Sequence, residues 1–277
     1  MFQMKLSGLT DVGLVRDNNE DNFFTGKNFF MVADGMGGAA AGEIASGTAV
    51  KIIPEAIENS SFKDETETIN SLNSAIVNAN DEILKKISEN NSYEGMGTTV
   101  VAVLRLDMRL LIGYVGDSRA YLIRNPKKNN STEKGGAPKF NSNAQTGIMK
   151  AFDDKKDNDS WSITRLTNDH SVVMEMVNSG IINEDEIRTH PLRNRITRCL
   201  GISGKSDPEF VWHDLSDGDI IIICTDGLWE MVHEDLILAI SSSSKSPEEI
   251  CERLITAAKN SGGYDNITVV TAFFGES

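Results

Sequence analysis

Two apolar runs end the same way in this chain: Phe29-Phe30-Met31-Val32-Ala33-Asp34-Gly35 and Ile220-Ile221-Ile222-Ile223-Cys224-Thr225-Asp226-Gly227. Each is long enough for a buried strand, and each delivers a carboxylate and then a glycine at its end. A buried strand places its last side chain at the rim of a sheet, where a site can form. Carboxylates gathered there without lysine or arginine partners are costly unless a cation compensates them. The pair of runs therefore asks for a fold with buried strands and for a metal at their ends.

The composition leaves room for both. The chain has 277 residues, of which 39% are hydrophobic and 25% charged, as expected of a soluble globular protein with a substantial core. A net charge of −14 disfavours nucleic acid and anionic membrane as partners, because either would repel most of the surface. No stretch approaches the roughly 20 apolar residues of a membrane span. The opening MFQMKLSGLT lacks the apolar core of a signal peptide. Three cysteines without Cys-x-x-Cys spacing suit a reduced compartment, and Cys224 reads as small buried filler. The expectation is a cytoplasmic, acidic, monomeric protein with one domain over residues 1–277.

Along the chain, strands are predicted at Met4–Thr10, Asn22–Thr25 and Asn28–Ala33. A helix follows over Gly38–Asn59, with Pro54 expected to bend or divide it, and a second over Thr66–Asn90. Gly97–Leu106, Arg109–Val115 and Arg119–Arg124 read as strands. Residues 125–160 differ in character, with seven lysines against five acids and few apolar residues. Such composition predicts a long mobile insertion, whose apolar cluster of Phe140, Ile148, Met149 and Phe152 folds back or docks elsewhere. Beyond it come a strand at Ser162–Leu166, a helix at Ser171–Ser179 ending at Gly180, and a helical turn from Glu184. A strand pair, Glu209–His213 and Asp219–Thr225, then two helices, around Glu234–Ile240 and over Pro247–Asn260, and a closing strand at Asn266–Phe274 complete the chain. Strand clusters separated by helix pairs, without regular alternation, predict an antiparallel α+β architecture.

Asp-Gly is also a common hairpin turn, and Asp217-Gly218 reads as one. Asp34-Gly35 reads otherwise, because Met36-Gly37-Gly38-Ala39-Ala40 follows and so glycine-rich a strand exit implies close approach of backbone to something. Asp226-Gly227 is followed by Leu228-Trp229-Glu230-Met231-Val232, which does not alternate like a returning strand. Asn19-Glu20-Asp21 and Tyr264-Asp265-Asn266 add acids at two further strand starts. Hard oxygen donors of this kind select Mg2+ or Mn2+, and the absence of neighbouring His or Cys argues against zinc. Gly35-Met36-Gly37-Gly38-Ala39-Ala40 also fits G-x-G-x-x-A of a dinucleotide site. An acid at Asp34 would abut the pyrophosphate, however, and no alternating βαβ units follow.

Arg16-x-x-Asn19-Glu20-Asp21, Val32-Ala33-Asp34-Gly35-Met36-Gly37-Gly38, Gly97-Thr98-Thr99, Gly116-Asp117-Ser118-Arg119, Thr225-Asp226-Gly227-Leu228-Trp229 and Asp265-Asn266-Ile267-Thr268 stand in one order along the chain. Together they resemble the metal-dependent serine/threonine protein phosphatases of type 2C, the PPM family, in its bacterial branch. The resemblance implies a four-layer α-β-β-α sandwich, two central antiparallel sheets flanked by helix pairs, with the metal cleft at one end. It implies that Asp34 bridges two Mn2+ or Mg2+ ions and that Asp226 and Asp265 complete one of them. Glu20 and the carbonyl of Gly35 complete the other, and Asp21 orients bound water. Asp117, shared with Asp226, matches a third and weaker metal position; a plain hairpin turn between Arg109–Val115 and Arg119–Arg124 is the competing reading. Arg16 matches the guanidinium that grips the substrate phosphate.

The implied chemistry is hydrolysis of phosphoserine and phosphothreonine in proteins by a hydroxide bridging two ions about 3.5–4 Å apart, with no side-chain nucleophile. A phosphoprotein is then the substrate and a bacterial serine/threonine kinase the opposing enzyme. Met36 stands where many eukaryotic members carry a histidine, so proton delivery to the leaving group must come from elsewhere. Residues 168–205 resemble the family's flap, in which His170 and His190 read as structural and Arg193 and Arg195 as candidate phosphopeptide contacts. The competing readings are a catalytically silent phosphoprotein-binding module of the same fold and, more distantly, a dinucleotide-dependent oxidoreductase.

Overall fold

The computed structural model describes residues 2–37, 41–58, 60, 62, 64–125, 139–140, 161–202 and 206–276. In chain order its elements are β1 (Phe2–Asp11), β2 (Asn22–Thr25), β3 (Phe29–Ala33), β4 (Gly35–Met36), α1 (Ala41–Glu58), α2 (Glu65–Glu89), β5 (Gly97–Thr98), β6 (Val100–Leu106), β7 (Arg109–Val115) and β8 (Arg119–Arg124). There follow β9 (Lys139–Phe140), β10 (Ser162–Arg165), α3 (Val172–Asn178), β11 (Glu209–Asp214), β12 (Ile220–Cys224), α4 (Asp226–Trp229), α5 (Glu234–Ser243), α6 (Pro247–Asn260) and β13 (Ile267–Glu276).

One sheet runs β1-β13-β12-β8-β10 and another β2-β3-β6-β7-β11-β9, while β4 and β5 form a two-stranded ribbon. All pairings are antiparallel. The two opening runs are apolar throughout because both of their faces are covered. In β3, Phe29, Met31 and Ala33 pack with α1 and α2, while Phe30 and Val32 face the other sheet. In β12, Ile220, Ile222 and Cys224 meet α5 and α6, while Ile221 and Ile223 join Phe30 and Val32 between the sheets. Period-2 geometry thus splits each run into two half-cores. The result is the expected order of layers, helices on sheet on sheet on helices, of mixed α+β class.

The helices begin where side chains can accept their free amides. Asp64 caps α2 through Glu67 N, Ser171 caps α3 through Met174 N, and Ser246 with Pro247 at the first turn caps α6. Gly180, at φ +70°, ends the α3 segment as expected.

Four details differ from the sequence reading. Helix α1 is not divided at Pro54: losing one backbone bond costs about 3 kcal/mol, but Ile53, Pro54 and Ile57 are all buried. Gly97–Leu106 is two strands, because Thr99 leaves the ladder and donates its amide to the Asp34 carbonyl (2.9 Å). β11 and β12 do not pair, since they lie in different sheets, so Asp217-Gly218 turns the chain from one sheet to the other. The same holds for Gly116-Asp117-Ser118 between β7 and β8, which removes the hairpin reading of Asp117. Of the 125–160 insertion only Asn125 and β9 are described, and Ile148, Met149 and Phe152 lie outside the described residues.

Candidate metal centre

Asp34 follows the last residue of β3, and its backbone is clamped from three directions. Its amide donates to Thr99 Oγ1 (3.0 Å), and its carbonyl accepts from the Thr98 hydroxyl (2.9 Å) and the Thr99 amide (2.9 Å). The Thr99 hydroxyl in turn meets Ser118 Oγ at 2.7 Å, which ties this strand end to the turn carrying Asp117. Gly116 is required in that turn by its φ of +105°, and an added Cβ would stand 2.6 Å from Thr99 Cγ2.

Asp226 opens α4, two residues beyond the end of β12, and Asp265 precedes β13, the next strand in the same sheet. Antiparallel pairing of β12 with β13 therefore brings the end of one beside the start of the other. Asp21 is 5% exposed. Its carboxylate accepts from the Thr225 hydroxyl (2.8 Å) and from the Thr268 side chain. Thr10 and Thr268 hydroxyls lie 2.7 Å apart, and Asn19 Nδ2 donates to Thr10 Oγ1 (2.8 Å), so Asp21 sits at the end of a polar relay. Asn266 organises the neighbouring loop: its Oδ1 accepts from the Glu20 amide (2.8 Å), and its Nδ2 donates to the carbonyls of Val12 (3.0 Å) and Asn18 (2.8 Å).

Glu20 and Gly35 meet across the start of α1. The Glu20 carbonyl accepts from Ser46 Oγ (2.5 Å), and its carboxylate accepts from the Gly42 amide. A Cβ at Gly42 would lie 2.7 Å from the Gly35 carbonyl carbon and 2.8 Å from Glu20 Oε2. Two glycines from separate elements are thus needed for the backbone of Gly35 and the side chain of Glu20 to share one place.

The electrostatics are those of an uncompensated acid cluster. Burial pushes Asp34 and Asp226 well above the usual carboxylate range; Asp21, Asp117 and Asp265 add repulsion at both, Asp226 at Asp34 and Glu230 at Asp226. Burial likewise raises Asp21 to about 7, against the hydrogen bonds from Thr268 and Thr225. Asp117, 5% exposed, is also raised to about 7, by burial and then by Asp169, with Arg119 pulling the other way. Burial raises Glu20 as well. The direct cation at the rim is Arg16, 54% exposed at the side chain, which donates from Nη2 to Asp265 Oδ2 (2.7 Å). All the expected residues, Arg16, Glu20, Asp21, Asp34, Gly35, Asp117, Asp226 and Asp265, therefore converge on one end of the sandwich.

A divalent cation is the group this donor set fits, since it alone would offset several half-buried carboxylates at once. Among the described residues no three acidic, histidine or cysteine side chains form a ready-made cage. Mg2+ and Mn2+ do not require one, because such hard ions keep several waters and take one or two carboxylates each.

The sequence motifs contained several supporting residues without revealing their work. Trp229 Nε1 donates to the Asp117 carbonyl (3.0 Å), and the Arg119 guanidinium stacks on the Trp229 ring at 3.6 Å. Arg119 also forms a buried two-pronged pair with Asp169 (Nε 3.0 and 3.2 Å, Nη2 2.6 Å). His170 is structural: Nδ1 accepts from the Gly116 amide (3.2 Å), and the ring stacks on Tyr114. His190 accepts from the Leu192 amide (3.1 Å). Arg193 faces Glu230 (3.9 Å), a half-buried acid beside Asp226 that the sequence reading did not single out. Gly42 and Asn266 were likewise missed as supports; Asn266 could have been found by its place in the Asp265 motif, whereas nothing local marks Gly42.

Comparison with known proteins agrees with this arrangement. Residues 16–260 match the family described as protein phosphatase 2C. The chain is 32% identical over 267 residues to the serine/threonine phosphatase Stp of Listeria innocua, covering 94% of this chain and 92% of that one. Its fold is similar to the Mycobacterium tuberculosis serine/threonine phosphatase PstP/Ppp, with a TM-score of 0.80 at 30% identity over 99% of both chains. It is also similar to the catalytic domain of PstP in complex with two manganese ions, with a TM-score of 0.79 at 29% identity over 100% of both chains.

Proposed function

The chain belongs to the protein phosphatase 2C family and is a metal-dependent serine/threonine protein phosphatase, and on that premise we propose how its own residues carry the reaction. The observation that carries the assignment is that Asp21, Asp34, Asp117 and Asp226, from four separate segments, are all held above the usual carboxylate range by burial, with Asp34 and Asp226 raised further by their acidic neighbours. Divalent ions, Mn2+ or Mg2+, would be held by Asp34 together with Asp226 and Asp265 on one side and with Glu20 and the carbonyl of Gly35 on the other, and Asp117 with Asp226 would offer a third, weaker position. When bound, the ions supply Lewis acidity, an activated water near neutral pH and stabilisation of both oxygens of an in-line displacement.

The rest falls to the chain. Arg16 exchanges Asp265 for the substrate phosphate, to which its planar fork is suited. Asp21, fixed by Thr225 and Thr268, accepts a hydrogen bond from the reacting water and orients it. Met36 carries no proton for the leaving alkoxide. Thr98, Thr99 and Asn266 hold the ligand-bearing backbone in place.

The substrate is a phosphoprotein, so a serine/threonine kinase is the enzyme whose product this one consumes. A reduced, cytoplasmic setting is supported by three buried free cysteines, and no helix among the described residues is long and apolar enough to cross a membrane. Action as a monomer, with residues 1–277 as one catalytic domain, an insertion at 125–160 and a flap at 168–205, completes the proposal. The test is hydrolysis of a phosphothreonine peptide by wild type and Asp34→Asn, with and without Mn2+. Activity that needs Mn2+ and is lost in the variant supports the assignment. Activity untouched by Asp34→Asn removes Asp34 as the shared ligand, and no activity in wild type favours a silent binding module.

A further inference from the structure

Large apolar side chains exposed beyond half of their surface are few among the described residues, and three of them stand beside Arg16. Leu14 is 62% exposed, Val15 60% and Tyr264 62%. Two loops bring them together: the Leu14 amide donates to the Gly263 carbonyl (2.8 Å), and Arg16 reaches Asp265 (2.7 Å). The segments 14–16 and 263–265 therefore lie side by side. Glycines floor this ledge. The Leu14 side chain lies over Gly263, where an added Cβ would meet Leu14 Cγ at 3.1 Å, and the Tyr264 ring lies over Gly262, where it would meet the ring at 2.6 Å. Charges at its borders are paired, Arg16 with Asp265 on one side and Lys259 with Asp11 (2.8 Å) on the other.

Single exposed apolar residues are normal, but a cluster adjoining a catalytic cation marks an interaction surface. We infer that Leu14, Val15 and Tyr264 form a specificity ledge that receives an apolar side chain one or two residues from the phosphorylated serine or threonine. The inference rests on the phosphatase assignment, with Arg16 holding the phosphate. Reach sets the register: successive Cα atoms are about 3.8 Å apart, and Leu14 is two residues from Arg16 as Tyr264 is one from Asp265. A peptide whose phosphate is at Arg16 can therefore lay a neighbouring side chain on these residues. Charge sets the preference: with every bordering cation already paired and the chain at −14, the ledge offers nothing to an acidic neighbour.

The experiment compares phosphothreonine peptides in which the flanking positions on either side are Ala, Leu or Glu, together with p-nitrophenyl phosphate as a substrate too small to reach the ledge. In wild type, Leu on one side raises kcat/KM about 5-fold over Ala, chiefly through KM, as partial burial of an aliphatic side chain implies. Glu there lowers it. The Leu14→Ser/Tyr264→Ser variant loses the Leu preference while keeping p-nitrophenyl phosphate turnover, and Leu14→Met retains both. Equal rates for Leu and Ala peptides in wild type, or an unchanged preference in the double variant, overturn the ledge while leaving the phosphatase assignment intact. Absence of metal-dependent turnover on every substrate overturns the assignment and the ledge with it.

Discussion

Replacing Asp117 by Asn stabilises the metal-free protein at alkaline pH, against the usual direction for a buried substitution. Asp117 is 5% exposed, and its carboxyl is raised from 3.8 to about 7, first by burial and then by Asp169. A carboxyl whose folded value is raised favours the protonated form, so its contribution becomes unfavourable as pH climbs above the unfolded value of 3.8 and levels off beyond about 7. At about 1.36 kcal/mol per pKa unit, the ionised group costs the fold at most about 4 kcal/mol, and relaxation with water entry reduces this to about 1–2 kcal/mol. Asn keeps the shape and leaves the Trp229-to-carbonyl hydrogen bond untouched. For a chain of this size, the gain corresponds to a rise in Tm of roughly 2–6 °C at about pH 8. Below about pH 4 the gain vanishes, because the proton is then bound in both states. Excess Mn2+ reverses the order, since a ligand bound to the folded state stabilises the protein that holds it better. The assay is thermal unfolding of both proteins with EDTA and with Mn2+ across that pH range. A metal-free Asp117→Asn protein that is no more stable than wild type at about pH 8, or a gain that persists below about pH 4, refutes the reasoning.

Three further expectations follow from neighbouring contacts. Gly42→Ala would set its Cβ 2.7 Å from the Gly35 carbonyl carbon and 2.8 Å from Glu20 Oε2, so the backbone must shift; the Mn2+ concentration for half-maximal activity rises about 10-fold, and Tm falls despite a gain of up to about 1 kcal/mol in helix propensity. Arg119→Ala strands the buried Asp169 and costs about 3–5 kcal/mol in chemical denaturation, and Lys restores little because it cannot make the two-pronged pair. Met36→His adds a proton donor beside Asp34, so the pH–rate profile gains a limb near about 6.5; an unchanged profile shows that the leaving group draws its proton from elsewhere.

Much of the site was legible in the chain. Apolar runs that stop at Asp34 and Asp226, and acids just ahead of Asn22 and Asn266, are local signals, because strand termini are where a sheet presents side chains to a cleft. The repeated absence of lysine beside them predicted a cation before any geometry was known. Helix and strand identities followed from periodicity, and the boundaries at Asn22–Thr25, Arg109–Val115, Arg119–Arg124 and Pro247–Asn260 are those of the structure.

What the chain could not show is which strand ends face one another. Glu209–Asp214 and Ile220–Cys224 look like a hairpin locally, but pairing is decided by which face each strand must bury, and that depends on residues about a hundred positions away. The same tertiary choice turned Gly116-Asp117-Ser118 from a hairpin into a crossing between sheets, and so placed Asp117 among the other acids. Gly42 carries no local mark of its role, which arises only where α1 meets Glu20 and Gly35. By itself the sequence determined the residue types, their positions at strand ends and their need for a divalent partner. Only packing of two sheets face to face decided that six carboxylates from distant segments share one space, because mutual repulsion and burial act through distance in space rather than along the chain.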